Sequence, residues 1–105
     1  MDINQLANQK DLQQFCRKWQ VIDLAIFGSA LRPDFNSASD IDLLVAFKAK
    51  AHHTLFDLVT MREELMRLFG RPVDLISRRG LERSANYLRR TEILSTAKSI
   101  YAAAA

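Results

Sequence analysis

The chain has little that would cross-link it covalently or anchor it in a membrane. Its 105 residues include one cysteine, Cys16, so no internal disulfide can form, and a small chain without one is typical of the reducing cytoplasm. Purely apolar runs such as Leu43–Phe47 are far short of the roughly 20 residues that a membrane-spanning helix requires. The N-terminal segment MDINQLANQK lacks the apolar centre of a signal peptide. We therefore expect a cytoplasmic protein without a membrane span.

A strong excess of charge of one sign is also absent. The 15 Lys and Arg residues against 12 Asp and Glu residues leave a net charge of +3. Domains that bind nucleic acid directly usually have a larger and more concentrated positive excess, which argues against that function. The basic residues are densest between Arg62 and Arg90, which suits a phosphorylated ligand or an acidic protein surface. We expect the arginines of this region to lie on a solvated surface; they are Arg78, Arg79, Arg83, Arg89 and Arg90. The alternative is that some of them contact a nucleotide or an acidic partner.

One domain is expected over residues 1–105, because no repeat, linker or change of composition marks a boundary. Composition leaves open whether the final alanines, Ala102 to Ala105, are native or a tag. Apolar periodicity, caps and turn residues predict the following elements: helix Ile3–Trp19, strand Val21–Phe27, loop Arg32–Ser39, strand Asp40–Phe47, helix Thr54–Phe69, strand Val73–Ile76 and helix Ser84–Tyr101.

The two later helices have predicted buried faces. In the helix that Thr54 caps and Gly70 ends, the apolar spacing selects Leu55, Leu58, Val59, Leu65, Met66 and Phe69. In the last helix it selects Leu88, Ile93, Leu94, Ala97 and Tyr101. Cys16 lies on the apolar face of the first helix and is expected to be a small core residue.

Connection lengths indicate how the three strands pair. Only residues 29–39 join the first two strands, too few for a parallel crossover, so an antiparallel pair is expected. A full helix joins the second and third strands, which suits a parallel pair. The sequence therefore predicts an α+β fold with a three-stranded mixed sheet and flanking helices, in which Gly28, Asp40 and Asp74 reach the same sheet edge.

The acids at this edge predict a cation site. Asp40 and Asp42 are two residues apart on one strand, so their side chains share a face, and Asp74 adds a third carboxylate. Unpaired acids crowded together repel one another, and a divalent cation relieves that repulsion. Oxygen ligands completed by substrate phosphates favour Mg²⁺. The alternative is an exposed edge strand with solvated acids.

The turn after the first strand is predicted to bind phosphate. Gly28 allows close approach of the backbone, and Ser29 offers an N–H group and a hydroxyl to phosphate oxygens. Arg32, one helical turn later, adds a charge-assisted bond. An ordinary turn is the alternative for Gly28 and Ser29.

The segment FGSALRPDFNSASDIDLLV, residues 27–45, resembles the signature of the nucleotidyltransferase superfamily related to DNA polymerase β. The ten residues between Gly-Ser and Asp-x-Asp are the spacing of its minimal nucleotidyltransferase antitoxins. The resemblance implies a small nucleotidyltransferase fold and an ATP site with two Mg²⁺ ions. It assigns Asp40, Asp42 and Asp74 to metal binding and catalysis, with Asp74 as general base. Gly28, Ser29 and Arg32 would bind nucleotide.

The same resemblance implies the acceptor. Such antitoxins accompany HEPN-type ribonuclease toxins, so the implied reaction transfers AMP from ATP to a toxin hydroxyl, a tyrosine being favoured, and silences the toxin within a hetero-oligomer. Two alternatives stay open: an antitoxin that acts by binding alone, and a small-molecule nucleotidyltransferase. In one respect the chain departs from the pattern, because Ala30 stands where these antitoxins often have a basic residue after the serine.

Overall fold

A computed structural model describes residues 8–33 and 39–103. The helices and strands follow in the order α1 (Gln9–Lys18), β1 (Val21–Phe27), β2 (Ile41–Phe47), α2 (Leu55–Phe69), β3 (Val73–Ser77), α3 (Arg78–Glu82), α4 (Tyr87–Thr96) and β4 (Lys98–Ala102). A short 3-10 turn, Gly28–Leu31, follows β1. Parts of the predicted first helix and of the predicted loop Arg32–Ser39 lie outside the described residues.

The sheet has the strand order β3-β2-β1-β4. β1 and β2 are antiparallel, with Phe27 opposite Asp42, whereas β2 and β3 are parallel, with Asp42 beside Asp74. Both pairings were predicted from connection lengths and are confirmed. The α+β class with a mixed sheet is confirmed as well.

Alternation along the strands divides the interior into two layers. On one face, Ile41, Leu43 and Val45 of β2 pack with buried residues of α1 and α2 in the larger core. On the other face, Leu44 joins a smaller core with Leu81 of α3 and Ile93 of α4. Because Asp42 alternates with Leu43, its side chain belongs to the smaller-core face, where α4 lies.

The prediction of three strands is wrong, because a fourth strand replaces the end of the predicted last helix. Helix α4 ends at Thr96, and Ala97 has extended backbone angles. The hydroxyls of Ser95 and Thr96 donate to the carbonyl of Glu92 and compete with the helical ladder. β4 then pairs antiparallel with β1 and supplies the neighbour that β1 would otherwise lack.

Several predicted core positions are also wrong. Leu55 is 78% exposed, Val59 51% and Leu88 78%, and Leu94 is exposed as well, whereas Met61, absent from the predicted face, is fully buried. Helix α3 was not predicted, because five residues are too few to show a helical period. The apolar spacing therefore predicted the position of α2 correctly, but the face that the helix buries is rotated relative to the predicted one.

Cys16 is a core residue, as predicted. Its side chain is fully buried in the larger core. Burial, with a smaller contribution from the charge of Asp23, raises the pKa of the Cys16 thiol to about 12. The thiol therefore stays protonated at neutral pH and contributes packing.

Within residues 8–33 and 39–103, no helix combines the length and the apolar character that crossing a bilayer would need.

The start of α2 is fixed by a capping box. The Oγ1 atom of Thr54 accepts a hydrogen bond from the N–H of Asp57, and the Asp57 carboxylate accepts one from the N–H of Thr54. Gly70 ends the helix in a left-handed conformation. Both ends agree with the predicted cap and stop.

Thr54→Ala is expected to lower the free energy of unfolding by about 1 kcal/mol, because an N–H group at the helix start loses its partner. Urea unfolding measures the change. Thr60→Ala is the matched control, since the Thr60 hydroxyl bonds the carbonyl of Phe56 inside the same helix and should alter stability by less than about 0.5 kcal/mol. Equal losses in the two variants would contradict a capping role.

Glu64 joins α2 to α1. Its carboxylate accepts hydrogen bonds from the Lys18 ammonium at 2.8 and 3.0 Å and from the Trp19 indole at 3.1 Å. Burial pushes the pKa of Glu64 upward, but these bonds and the charges of Lys18 and Arg67 outweigh it and hold the pKa below its ordinary value. The ionised form is therefore favoured in the folded chain.

A group whose pKa is lowered by folding stabilises the fold above its unfolded pKa, and that contribution is lost as the pH falls through the folded pKa. We therefore expect Glu64→Gln to destabilise the chain at pH 7 and to differ less from the unchanged chain as the pH falls below the ordinary glutamate range. Urea unfolding at several pH values measures this. A stability difference that does not vary with pH would exclude a charge-dependent role.

Candidate active site

Three predicted site residues meet at one end of the sheet. Gly28 follows β1 directly, Asp42 lies opposite Phe27, and Asp74 is the parallel partner of Asp42 on β3. Neighbouring strands lie about 4.8 Å apart, so the backbones of Asp42 and Asp74 are adjacent and their side chains point to the same face. Asp42 is partly buried, whereas Asp74 is exposed.

Asp40 lies one residue before β2 and is exposed. It is two residues from Asp42, about 6.6 Å along an extended chain, and continues the same edge. Among the described residues, no three His, Cys, Asp or Glu side chains come close enough together to form a metal-ligand group. The chain thus brings Asp42 and Asp74 side by side and leaves Asp40 at the margin.

Gly28 is required by both conformation and space. Its φ is +70°, in the left-handed region that residues with side chains rarely adopt. A Cβ atom at this position would collide with the Oδ2 atom of Asp42. The backbone of the turn therefore passes directly against the carboxylate, which explains why a glycine precedes Ser29.

Of the other two predicted nucleotide ligands, Arg32 is exposed just after the 3-10 turn. Ser29 belongs to that turn by its backbone, but its side chain lies outside the described part of the structure. The prediction that the Ser29 hydroxyl binds phosphate therefore stays a prediction.

Contacts from neighbouring segments fix the edge on which the acids lie. The N–H of Ile41 donates to the carbonyl of Pro72 at 3.0 Å and joins the starts of β2 and β3. The Arg62 side chain of α2 donates to the carbonyl of Val73 at 2.8 Å, beside Asp74. Arg71 donates to the carbonyl of Ser39 at 3.5 Å, beside Asp40. These bonds hold the backbone of the acids in register before any ligand binds.

A cavity of about 360 Å³ opens beside Gly28. Its wall is shared by the end of β1, the 3-10 turn and one face of α4, and its lining residues are Phe27, Gly28, Leu31, Arg32, Arg89, Glu92, Ile93 and Thr96. Arg89 was predicted only as one of a group of surface arginines, and Glu92 and Thr96 were not singled out. Their spacing of three and four residues around buried Ile93 is the sequence signal that could have placed them together.

The donor set fits magnesium. Carboxylate oxygens are the ligands that Mg²⁺ prefers, and this ion usually keeps waters or substrate phosphates in its shell beside one or two protein carboxylates. Asp42 and Asp74 supply such a pair, and the missing side chain of Gly28 lets the Asp42 carboxylate lie against the turn. The carboxylates at this edge are thus of the type that would hold a magnesium ion.

The nucleotidyltransferase domain family matches residues 9–99, nearly the whole chain. The chain belongs to this family. The matched region includes the Gly28 turn and the carboxylates at positions 40, 42 and 74.

Known proteins similar to this family member include one solved as a minimal nucleotidyltransferase. It is 32% identical, with a TM-score of 0.64, over 85% of each chain. A toxin–antitoxin structure with AMP-PNP shares the fold at a TM-score of 0.68 and 17% identity, over 91% of this chain and 74% of that one.

The Methanocaldococcus jannaschii protein MJ1379, assigned as a protein adenylyltransferase, is 31% identical over 64 residues. The match covers 61% of this chain, and this chain spans 64% of the length of that relative.

Gly28→Ala should destabilise the chain more than Gly70→Ala. Both glycines have a φ near +70°, but a Cβ at Gly70 would meet nothing within 4 Å, so Gly70→Ala should cost only the conformational strain of about 1 kcal/mol. Gly28→Ala adds the collision with Asp42. Urea unfolding measures both losses.

The collision can be isolated by a double-mutant cycle. In an Asp42→Ala background the added methyl group no longer meets a carboxylate, so the extra cost of Gly28→Ala should disappear. An extra cost that persists without the Asp42 carboxylate would show that another contact is responsible.

Proposed function

We propose that this chain is a Mg²⁺-dependent nucleotidyltransferase that transfers AMP from ATP to a hydroxyl group of a protein partner. The observation that carries the proposal is the contact between the Gly28 backbone and the Asp42 carboxylate, with Asp74 beside it. The turn, suited to phosphate, lies against Asp42, which together with Asp74 forms a carboxylate pair suited to magnesium. The nucleotidyltransferase family and the AMP-PNP-containing relative support ATP as the donor.

The chain's own residues have distinct tasks in this reaction. Asp42 and Asp74, with Asp40 at the margin, would hold the magnesium ions, which supply neutralisation of the triphosphate. The turn of Gly28 and Ser29 would hold the phosphates, with Arg32 next to it. Asp74, the most exposed end of the carboxylate pair, would accept the proton of the attacking hydroxyl as general base.

The bond changes follow from these positions. The acceptor oxygen forms a bond to the α-phosphorus of ATP, the bond from that phosphorus to the bridging oxygen breaks, and pyrophosphate leaves. The acceptor proton passes to Asp74. The partner therefore gains one phosphodiester-linked AMP for each ATP consumed.

The proposed acceptor is a HEPN-type ribonuclease toxin, modified on a tyrosine and thereby silenced within a complex of the two proteins. Support comes from the resemblance in residues 27–45, from the toxin–antitoxin relative and from the relative assigned as a protein adenylyltransferase. A toxin encoded beside this chain is the natural first substrate to test.

A second function, inhibition by binding alone, is favoured by one observation. Phe56 is 84% exposed and Leu55 78% exposed at the start of α2. Large exposed apolar side chains suit contact with another protein. Intact carboxylates at positions 40, 42 and 74 favour transfer over binding alone.

Asp42→Asn is expected to abolish transfer, at least a thousandfold, while leaving the fold intact, because a neutral amide is a poor magnesium ligand. The partner toxin is incubated with ATP and Mg²⁺, and mass spectrometry counts the added AMP units. Asp11→Asn is the matched control, since Asp11 is exposed on α1, on the other side of the sheet. Retained transfer by the Asp42→Asn protein would reject the proposal, and an inhibited but unmodified toxin would favour binding alone.

A further inference from the structure

We infer that Arg89 of α4, together with Arg32, binds the β- and γ-phosphates of the nucleotide in the cavity beside Gly28. The inference rests on the proposed function, because the ligand is the triphosphate of that reaction's donor. Arg89 is 57 residues from Arg32 in sequence, yet both line one cavity of about 360 Å³.

The first reason is the charge around Gly28. Asp42 lies against one side of the glycine and repels phosphate oxygens unless cations oppose it. The turn itself supplies no cation after Ser29, because the next residue is Ala30. Beyond the magnesium ions, the positive charge available to a triphosphate at this turn comes from the cavity wall, which contains Arg32 and Arg89.

The second reason is the convergence of like charges. Arg32 and Arg89 line the same cavity, and their like charges repel each other. Among the lining residues that the structure describes, Glu92 is the one acidic residue. Within residues 8–33 and 39–103, Arg89 forms no salt bridge. An anion between Arg32 and Arg89 would relieve the repulsion, and guanidinium groups bind phosphate through paired hydrogen bonds.

The third reason is that α4 is anchored where this task requires. Ile93 is buried in the smaller core against Phe27, the residue before Gly28. Arg89 lies one helical turn before Ile93, so the packing of that isoleucine fixes the helix face that carries the arginine. Arg89 of α4 would thereby supply the positive charge that Ala30 does not provide next to Ser29.

Binding of inorganic tripolyphosphate in the presence of Mg²⁺ tests the inference directly, because this probe has no base or sugar. Isothermal titration calorimetry should show that Arg89→Gln weakens binding about tenfold, the loss expected for one charge-assisted contact. Arg17→Gln makes the same charge change at an exposed site on α1, across the sheet, and should alter binding less than twofold.

Glu92→Gln provides a variant of opposite sign. Removing a carboxylate from the same cavity should leave tripolyphosphate binding as tight as before or make it tighter. Three results would each overturn the inference. They are weaker binding by Glu92→Gln, equal effects of Arg89→Gln and Arg17→Gln, and no binding of tripolyphosphate by the unchanged chain. AMP transfer to the partner is measured in a separate experiment, with the Asp42→Asn variant. The proposed function can therefore stand or fail independently of the role of Arg89.

Discussion

The site depends on one close contact, that of a backbone without a side chain against a carboxylate. Gly28 can approach Asp42 because it has no Cβ and tolerates a positive φ. The contact sets the distance between the Gly28 turn and the Asp42 carboxylate, and the antiparallel register of β1 and β2 keeps both at one edge. Any side chain at position 28 would push the turn and the Asp42 carboxylate apart.

Much of this edge could be predicted from the sequence, because it depends on local signals and connection lengths. The alternation of residues 40–47 places Asp42 opposite the larger core, and a short connection forces antiparallel pairing. β4 could not be found in this way. Residues 97–102 continue the apolar spacing of a helix, and only the open edge of β1 selects the extended form. Pairing with a strand distant in sequence is a tertiary effect, which the apolar periodicity of a segment does not predict.

The cavity wall escaped prediction for a related reason. Arg89 and Glu92 resemble any exposed charged pair on a helix, and they line a cavity with Gly28 because α4 packs against the end of β1. The buried face of α2 shows the same limit, since Met61 replaces Leu55 and Val59 in the core. Spacing indicates that a helix is amphipathic, but the sheet beneath decides its rotation.

The unequal size of the two cores has a consequence for motion. α1 and α2 share the larger core with the sheet, whereas α3 and α4 are held mainly by Leu81 and Ile93. Elements with little buried apolar surface open locally at a lower free energy than the whole domain. The α3–α4 layer can therefore open transiently, without global unfolding, while the strands that carry the acids stay folded.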